Sequence, residues 1–487
     1  MKAIIKNALL MPVLIIIGCT VGPDYKKPEV KINTNWHTQV PTKESVIPLK
    51  DLAWWKNFKD PILDQLIEKA GHSNLDIELA LARVREARAN VSSSEAAFFP
   101  SLTASGSIAA NHYGKNAAAA SKMPPGSSTT VKSGFDASWE IDVFGKLRRA
   151  EESAEAKLES IVEDGRAVIL SLLGEIALNY INLRNYQEQL LIQQEIVASW
   201  KTYSDLRKEL MSSGLLSDID EIAADISYNQ AVALIPQLQA SIQKTLNQIC
   251  ILLGHQPGTL DELLGNPAPV PQMDISILSN LPGKLIEQRP DVRKAEEALR
   301  STNADIGVAE GNLYPSFSLT GLLSWGSTAI SSLFHAGSSV LSGGPGVSIP
   351  IFDFGKLRAQ VDIQYAQRDE AFIQYKQAIL GALQDVENSL VTFASESQRL
   401  VTYKKIFEEN KLSYDLNQDR QHSGLSSMLD VFQSKFLYLA SKQNYITSIT
   451  NYSTSMVNAY KSLGGGWDAV DVSCSNKKLD VTHIDFF

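Results

Sequence analysis

The pentapeptide Phe-Gly-Lys-Leu-Arg occurs at residues 144–148 and again at 354–358, an offset of 210 within a chain of 487 residues. In both places a run of alternating apolar and polar residues leads into it, and a long charged run with helical spacing leads out of it. A chain written this way is two versions of one unit rather than a string of unrelated domains. Each version must pass directly from a strand into an unusually long helix, with Gly145 or Gly355 at the joint.

The strands are predicted as hairpins. In the first, Leu102, Ala104, Ile108 and Ala110 alternate with Ser101, Thr103, Ser105 and Ser107, a small-residue loop runs from Gly114 to Thr130, and Val131, Phe135, Ala137, Trp139, Ile141 and Val143 alternate with Lys132, Asp136, Ser138, Glu140 and Asp142. In the second, Phe317, Leu319, Leu323 and Trp325 alternate with hydroxylic residues, and Val347, Ile349 and Ile351 complete a fourth strand. One apolar and one polar face over about a dozen residues fits a transmembrane β-strand. A half-buried soluble hairpin shares that alternation.

Helical spacing predicts one helix from Pro61 to Phe98 and another from Leu285 to Leu313, each ended by a proline, Pro100 or Pro315. The run after Gly145 continues to Ser213, about 100 Å if straight, and returns from Leu215 to Leu253 with a kink expected at Pro236. The run after Gly355 continues to Ser423 and returns beyond Gly424 to the stop at Leu463-Gly464-Gly465-Gly466-Trp467. Leu215, Ile219, Ile222 and Ile226 step by four, three and four, as do Leu425, Leu429, Phe432 and Phe436, which is coiled-coil spacing.

At the N-terminus, Lys2 and Lys6 precede an apolar run from Ala8 to Gly18, too short to span a bilayer and suited to a secretory signal. Ile16-Ile17-Gly18-Cys19 resembles a bacterial lipobox, which makes Cys19 the acylated first residue, and Thr20 after it resembles sorting to the outer membrane. The expected organisation is a signal peptide (1–18), a lipidated arm (19–60), a first repeat (61–254), an equatorial link (255–284), a second repeat (285–463) and an equatorial tail (464–487). Cys250 lies in an apolar patch and Cys474 in a polar tail, so a disulfide between them is the lesser expectation. A net charge of −9 gives no electrostatic footprint for nucleic acid.

Four strands cannot close a barrel alone, and an open edge in lipid leaves backbone groups unpaired at several kcal/mol each. Three chains of four strands would give a 12-stranded barrel, an even number with room for a lumen. The fold class expected is therefore mainly α with a membrane β-barrel portion, internally duplicated, its long hairpins forming a trimeric α-barrel.

Several stretches together resemble one family: the lipobox followed by Gly22-Pro23-Asp24-Tyr25, the paired joints, Glu287-Gln288-Arg289-Pro290-Asp291-Val292-Arg293, Tyr314-Pro315-Ser316-Phe317 and the Leu463–Trp467 stop. Their order and spacing are similar to those of the TolC-like outer membrane factors, in particular the lipoprotein exit ducts of resistance-nodulation-division efflux pumps. The resemblance implies a homotrimer in the outer membrane with a large periplasmic extension, coupled to a periplasmic adaptor and an inner-membrane pump. It implies a passive gated duct for drugs or other small toxic compounds. A duct for proteins or peptides, or a membrane-tethered coiled-coil scaffold, is the alternative.

The same resemblance places Ser213, Gly214, Leu215, Ser423, Gly424 and Leu425 at periplasmic tips that meet the adaptor. It puts Leu429 where related ducts carry a constricting leucine, and Gln433 and Gln421 where they often carry an Asp and a Tyr. Asp218, Asp220 and Glu221 are candidates for an acidic ring at the aperture, or for an ordinary solvated helix face. No catalytic constellation is legible: the seven histidines are scattered, His-Glu-x-x-His is absent and the glycine triplet lacks phosphate-loop spacing. No enzyme activity, cofactor or metal is expected.

Overall fold

A computed structural model describes residues 20–30, 53–116, 126–273 and 283–467. The signal peptide, Cys19, most of the N-terminal arm, Cys474 and the tail after Trp467 lie outside the described residues. The chain divides into two compact units, one drawn from residues 1–29, 84–161 and 294–375, the other from 30–83, 162–293 and 376–487.

The first helical stretch holds two helices rather than one. Helix α1 (Pro61–Ser73) is started by Asp60, whose carboxylate accepts from the N–H groups of Ile62 and Leu63 at 2.9 and 3.2 Å. Asn74 then turns extended, and its side-chain oxygen accepts from Asp76 and Ile77 N–H at 2.8 and 3.0 Å, starting helix α2 (Leu75–Ala96). The asparagine amide also donates to the Leu252 carbonyl at 2.8 Å. Apolar residues keep helical spacing across the break, so periodicity misses a boundary set by one polar side chain.

Strands β1 (Ser101–Tyr113), β2 (Gly126–Ile141), β3 (Ser316–Ser327) and β4 (Ser339–Ser348) form one antiparallel sheet in sequence order. Strand β4 ends at Ser348, so Ile349 and Ile351, expected within it, lie beyond it. The register aligns Leu102 with Ala137, Phe135 with Leu323, and Leu323 with Leu341, so the apolar residues of all four strands share one face. None of the described residues covers that face: Leu102 is 70% exposed, Ile108 66% and Leu341 82%. Lys132, Asp136 and Glu140 lie on the opposite face, with the hydroxylic residues.

Helix α3 (Lys146–Ser212) has 67 residues and α4 (Asp218–Leu252) has 35. A short α5 (Asp261–Leu264) and α6 (Pro290–Gly311) follow, the latter preceded by a 3-10 turn over Gly283–Gln288 where an unbroken helix from Leu285 is expected from spacing alone. Helix α7 (Lys356–His422) again has 67 residues and α8 (Met428–Ser462) again 35. Every boundary of the second pair lies 210 residues after its counterpart. Helix α4 runs through Pro236 without interruption.

Left-handed glycines follow the same offset: Gly145 and Gly355 (φ 79 and 83°), Gly214 and Gly424 (73 and 71°), and Gly254 and Gly464 (68 and 75°). These end or join the long helices where an L side chain is strained. The main hydrophobic core lies within the second unit, where Trp54 stacks on Tyr460 at 5.8 Å and packs with Leu63, Leu66, Ile176 and Met456. Cys250 is fully buried in that core.

Candidate functional site: joints, tips and the anchored N-terminus

At the first joint the Asp142 carboxylate accepts from Leu147 and Arg148 N–H at 3.2 and 3.1 Å, capping α3 as the chain leaves β2. At the second, Asp353 accepts from Gly355 and Leu357 N–H, each at 2.9 Å. The aspartates sit three and two residues before their glycines, yet both reach the same leucine amide of the helix start. Lys146 pairs with Glu140 at 2.6 Å across the first joint. Phe144 packs against Tyr314 and Phe317, with ring centroids 4.9 and 6.4 Å apart.

The N-terminal segment is seated on the first joint. Val21 N–H donates to the Phe144 carbonyl at 3.0 Å, and buried Arg149 donates to the carbonyls of Val21 and Gly22 at 3.0 and 3.2 Å and to Asp24 at 2.7 Å. Asn303 donates to the Pro23 carbonyl at 2.8 Å. Gly22 approaches Gly307 so closely that a Cβ on Gly22 would lie 2.4 Å from the Gly307 Cα. This clamp begins at Val21, two residues after Cys19, and ties the chain just after the expected anchor to the strand–helix joint. Spacing alone does not pair residues more than a hundred positions apart, so Arg149 and Asn303 carry no readable signal beyond the Gly22–Tyr25 motif they hold.

The two tips have one design. Gly214 N–H donates to Met211 O at 2.8 Å and Leu215 N–H to Leu210 O at 2.9 Å; Gly424 N–H donates to Gln421 O at 2.9 Å and Leu425 N–H to Arg420 O at 2.8 Å. These are paired helix-ending bonds around a left-handed residue. Ser213 and Ser423 turn their hydroxyls back onto Glu209 O and Asp419 O, both at 3.0 Å. Ser217 with Asp220, and Ser427 with Asp430, then form reciprocal capping boxes that start α4 and α8. Leu215 and Leu425 are each 70% exposed at the apex.

Hydrogen bonds from the Ser217 hydroxyl and N–H hold Asp220 below its ordinary value, with a smaller effect of Arg207 at 3.1 Å; Ser427 does the same for Asp430. The sign follows. Both caps favour the ionised form, so they persist above the ordinary carboxylate pKa of 3.8 and are lost as pH falls through the lowered values. Asp220 is thereby occupied in capping and pairing, whereas Asp218 stands exposed in the first turn of α4. Glu221 faces Lys208 at 4.0 Å. On α8, Leu429 is half-buried and Gln433 exposed.

The two apolar seams behave differently. Phe432 and Leu439 are buried and Phe436 stacks on Trp200 at 3.8 Å, so the seam of α8 packs. In the part of α4 nearer the tip the buried positions are Ala224 and Ala231, with Gln193 donating to the Ala231 carbonyl at 2.8 Å. Ile219, Ile222 and Ile226, expected in a seam, are 78, 57 and 52% exposed. Small residues let the two helices of a hairpin approach and turn the isoleucine row outward.

The Arg289 stretch is structural. Its guanidinium donates to Ser462 O at 2.6 Å, closing the end of α8, and pairs with Asp291 at 2.8 Å and Asp385 at 3.0 Å. Among the described residues no group of His, Cys, Asp or Glu is placed to hold a metal ion. No described helix is long and apolar enough to cross a membrane. Such a finding has no bearing on strands.

The model of the family described as outer membrane efflux protein matches residues 66–255 and 281–465, one match per repeat. Nodulation protein T of Rhizobium leguminosarum bv. trifolii is 30% identical over 422 residues, covering 87% of this chain and 89% of that protein. Solvent efflux pump outer membrane protein SrpC of Pseudomonas putida is 28% identical over 472 residues, covering 95% and 98%. Among solved structures, the outer-membrane channel OprN has a TM-score of 0.81 at 29% identity, covering 92% of this chain and 100% of that one. Of these, SrpC is an efflux pump outer membrane protein and OprN an outer-membrane channel. With both repeats matched and the joints, tips and one-sided apolar sheet in place, the chain belongs to the outer membrane efflux protein family and serves as the outer membrane exit duct of an efflux system.

Proposed function

We propose that three copies of this chain close a 12-stranded barrel in the outer membrane, anchored by acylated Cys19, and that Gly145 and Gly355 mark where each chain passes from barrel to periplasmic tunnel. The observation that carries this is the sheet: a membrane-length apolar face left uncovered, two open edges, and left-handed glycine joints into helices of 67 residues. An open sheet is untenable in lipid, and closure by identical copies satisfies it. Each copy comprises a lipidated arm (19–60), two repeats (61–254 and 285–463), an equatorial link (255–284) and an equatorial tail (464–487).

The tips at Ser213–Leu215 and Ser423–Leu425 dock a periplasmic adaptor, which links the duct to an inner-membrane pump of the resistance-nodulation-division type. Exposed Leu215 and Leu425 on rigid, doubly capped turns suit such contact. The aperture is lined by Leu429, Gln433 and Asp218, with Asp220 in the supporting cap. Transport through it is passive, needing no catalytic residue. The cargo is small apolar or amphipathic toxic compounds, a reading supported by the solvent efflux named for one relative.

Leu429→Ala removes the branched side chain from the proposed constriction. Single-channel conductance in planar bilayers is expected to rise severalfold, with the open state entered more often. Conductance and gating equal to wild type would remove Leu429 from the aperture.

A further inference from the structure

We propose that the loop between β3 and β4, residues 328–338, is a membrane anchor: Ile330 and Phe334 form a knob that seats among the acyl chains of the outer leaflet and fixes the depth of the second hairpin. This rests on the apolar face of the sheet meeting lipid. It assigns a lipid contact to a connection that would otherwise stand in water.

Charge separates the two hairpins. No Asp, Glu, Lys or Arg occurs between Glu310 and Asp353, so the second hairpin and its loop are uncharged, with His335 the one ionisable side chain of the loop. The connection of the first hairpin carries Lys115 and Lys122. Charged side chains are costly among acyl chains, so a segment that enters them excludes such residues.

Hydroxyl groups hold the loop in shape. It contains two 3-10 turns, Ile330–Ser332 and Ala336–Ser338. The Ser332 hydroxyl donates to the Ala329 carbonyl at 3.1 Å, and those of Ser338 and Ser339 donate to the carbonyls of Ser332 and Ala336, each at 2.8 Å. The Ser327 hydroxyl lies 2.5 Å from that of Ser332 and accepts from Ala329 N–H at 3.3 Å. Polar groups satisfied within the loop suit a place where water is scarce. Leu333 is 5% exposed, whereas Ile330 is 68% and Phe334 70% exposed. The loop thus has an interior and uses it for one apolar side chain, while the other two point outward as a contact surface.

Trp325 sets the direction in which the knob leans. Its ring stands against that of Phe334, with centroids 5.7 Å apart and planes at 62°. Trp325 lies two residues beyond Leu323, in the row that faces Phe135 and Leu341 across the ladders, so it belongs to the apolar face and Phe334 leans to the lipid side. Height gives the knob its use. From Phe317 to Trp325 the strand advances about 26 Å, which a barrel tilt of about 40° reduces to about 20 Å, short of an apolar band of about 25 Å. Ile330 and Phe334 extend the row at the end of the sheet away from the joints. His335 is exposed beside them, which suits headgroup depth.

Nitroxide labels on single cysteines test this in the full-length acylated protein, with Cys250 and Cys474 replaced by serine, reconstituted in phosphatidylethanolamine–phosphatidylglycerol vesicles. Collision with oxygen reports acyl chains, and collision with a water-soluble nickel chelate reports water. Phe334→Cys and Ile330→Cys are expected to favour oxygen severalfold, as Leu323→Cys does, and Ser324→Cys to favour nickel. The two knob positions read independently, so failure of one variant to assemble leaves the other. Nickel favoured at 330 and 334, with oxygen still favoured at 323, would overturn the anchor while leaving the membrane face standing. Labels at 330 and 334 shielded from both probes would place the loop over the lumen and also overturn it. Nickel favoured at all four positions would overturn the lipid-facing sheet itself.

Discussion

Leu323→Arg is expected to remove the protein from the outer membrane, whereas Ser324→Arg, one residue along the same strand, is expected to leave it there. Leu323 lies in the middle of the sheet, in a row with Phe135 and Leu341 on the uncovered apolar face. An arginine facing lipid at the midplane costs about 2–4 kcal/mol, and a barrel of three chains would carry three of them. Ser324 lies on the face that already holds Lys132, Asp136 and Glu140, where in the proposed barrel a charge would meet water in the lumen. The measurement is the share of each variant that stays with outer membranes after a urea wash. Equal retention of both would mean that the apolar face does not meet lipid.

The second large effect is expected far from any channel opening. Arg289→Met should destabilise the helical unit by about 2–3 kcal/mol, because it leaves the Ser462 carbonyl without its donor and separates Asp291 and Asp385 from their shared cation. The side chain of Arg289 is only 9% exposed, but its two acids are 47 and 58% exposed and regain water, which keeps the cost below that of a fully buried pair. Arg289→Lys should recover little of this, since one ammonium cannot span three acceptors with the geometry of a guanidinium. Denaturant unfolding of the detergent-solubilised protein, followed by helical circular dichroism, gives the difference. A change within about 0.5 kcal/mol would show that the Gln-Arg-Pro-Asp stretch is not what closes α8.

Repetition made most of the architecture legible. Phe-Gly-Lys-Leu-Arg located both joints, two-residue alternation located the hairpins, and Gly214 and Gly424 located the tips, because each depends on local backbone chemistry. What the sequence hid depends on partners distant in the chain. Asn74 breaks a helix inside an unbroken apolar rhythm because its side chain reaches both the next turn and Leu252. Arg149 holds residues 21–24 across more than a hundred positions. The isoleucine row of α4 has coiled-coil spacing, and only the packing of Ala224 and Ala231 shows which side of the helix the hairpin uses. β4 ends at Ser348 rather than the expected Ile351 because its pairing with β3 ends at Ser316–Ser348 and no other described strand lies beside it.

Asp220 illustrates the same limit at the tips. As one of three acids in four residues it suggests a charged ring, yet Ser217 and Arg207 take up its oxygens. The residue exposed for contact is Asp218, which the sequence alone does not separate from it.

The sheet, the joints and the tips together imply a gated channel through the outer membrane. Single-channel recording of the full-length acylated protein, purified in detergent and added to planar bilayers, tests it directly. Discrete conductance steps, brief in the wild type and larger or longer-lived after Leu429→Ala, are the predicted result. A bilayer that stays silent with a preparation that leaves membranes without detergent once its lipid anchor is removed would contradict it.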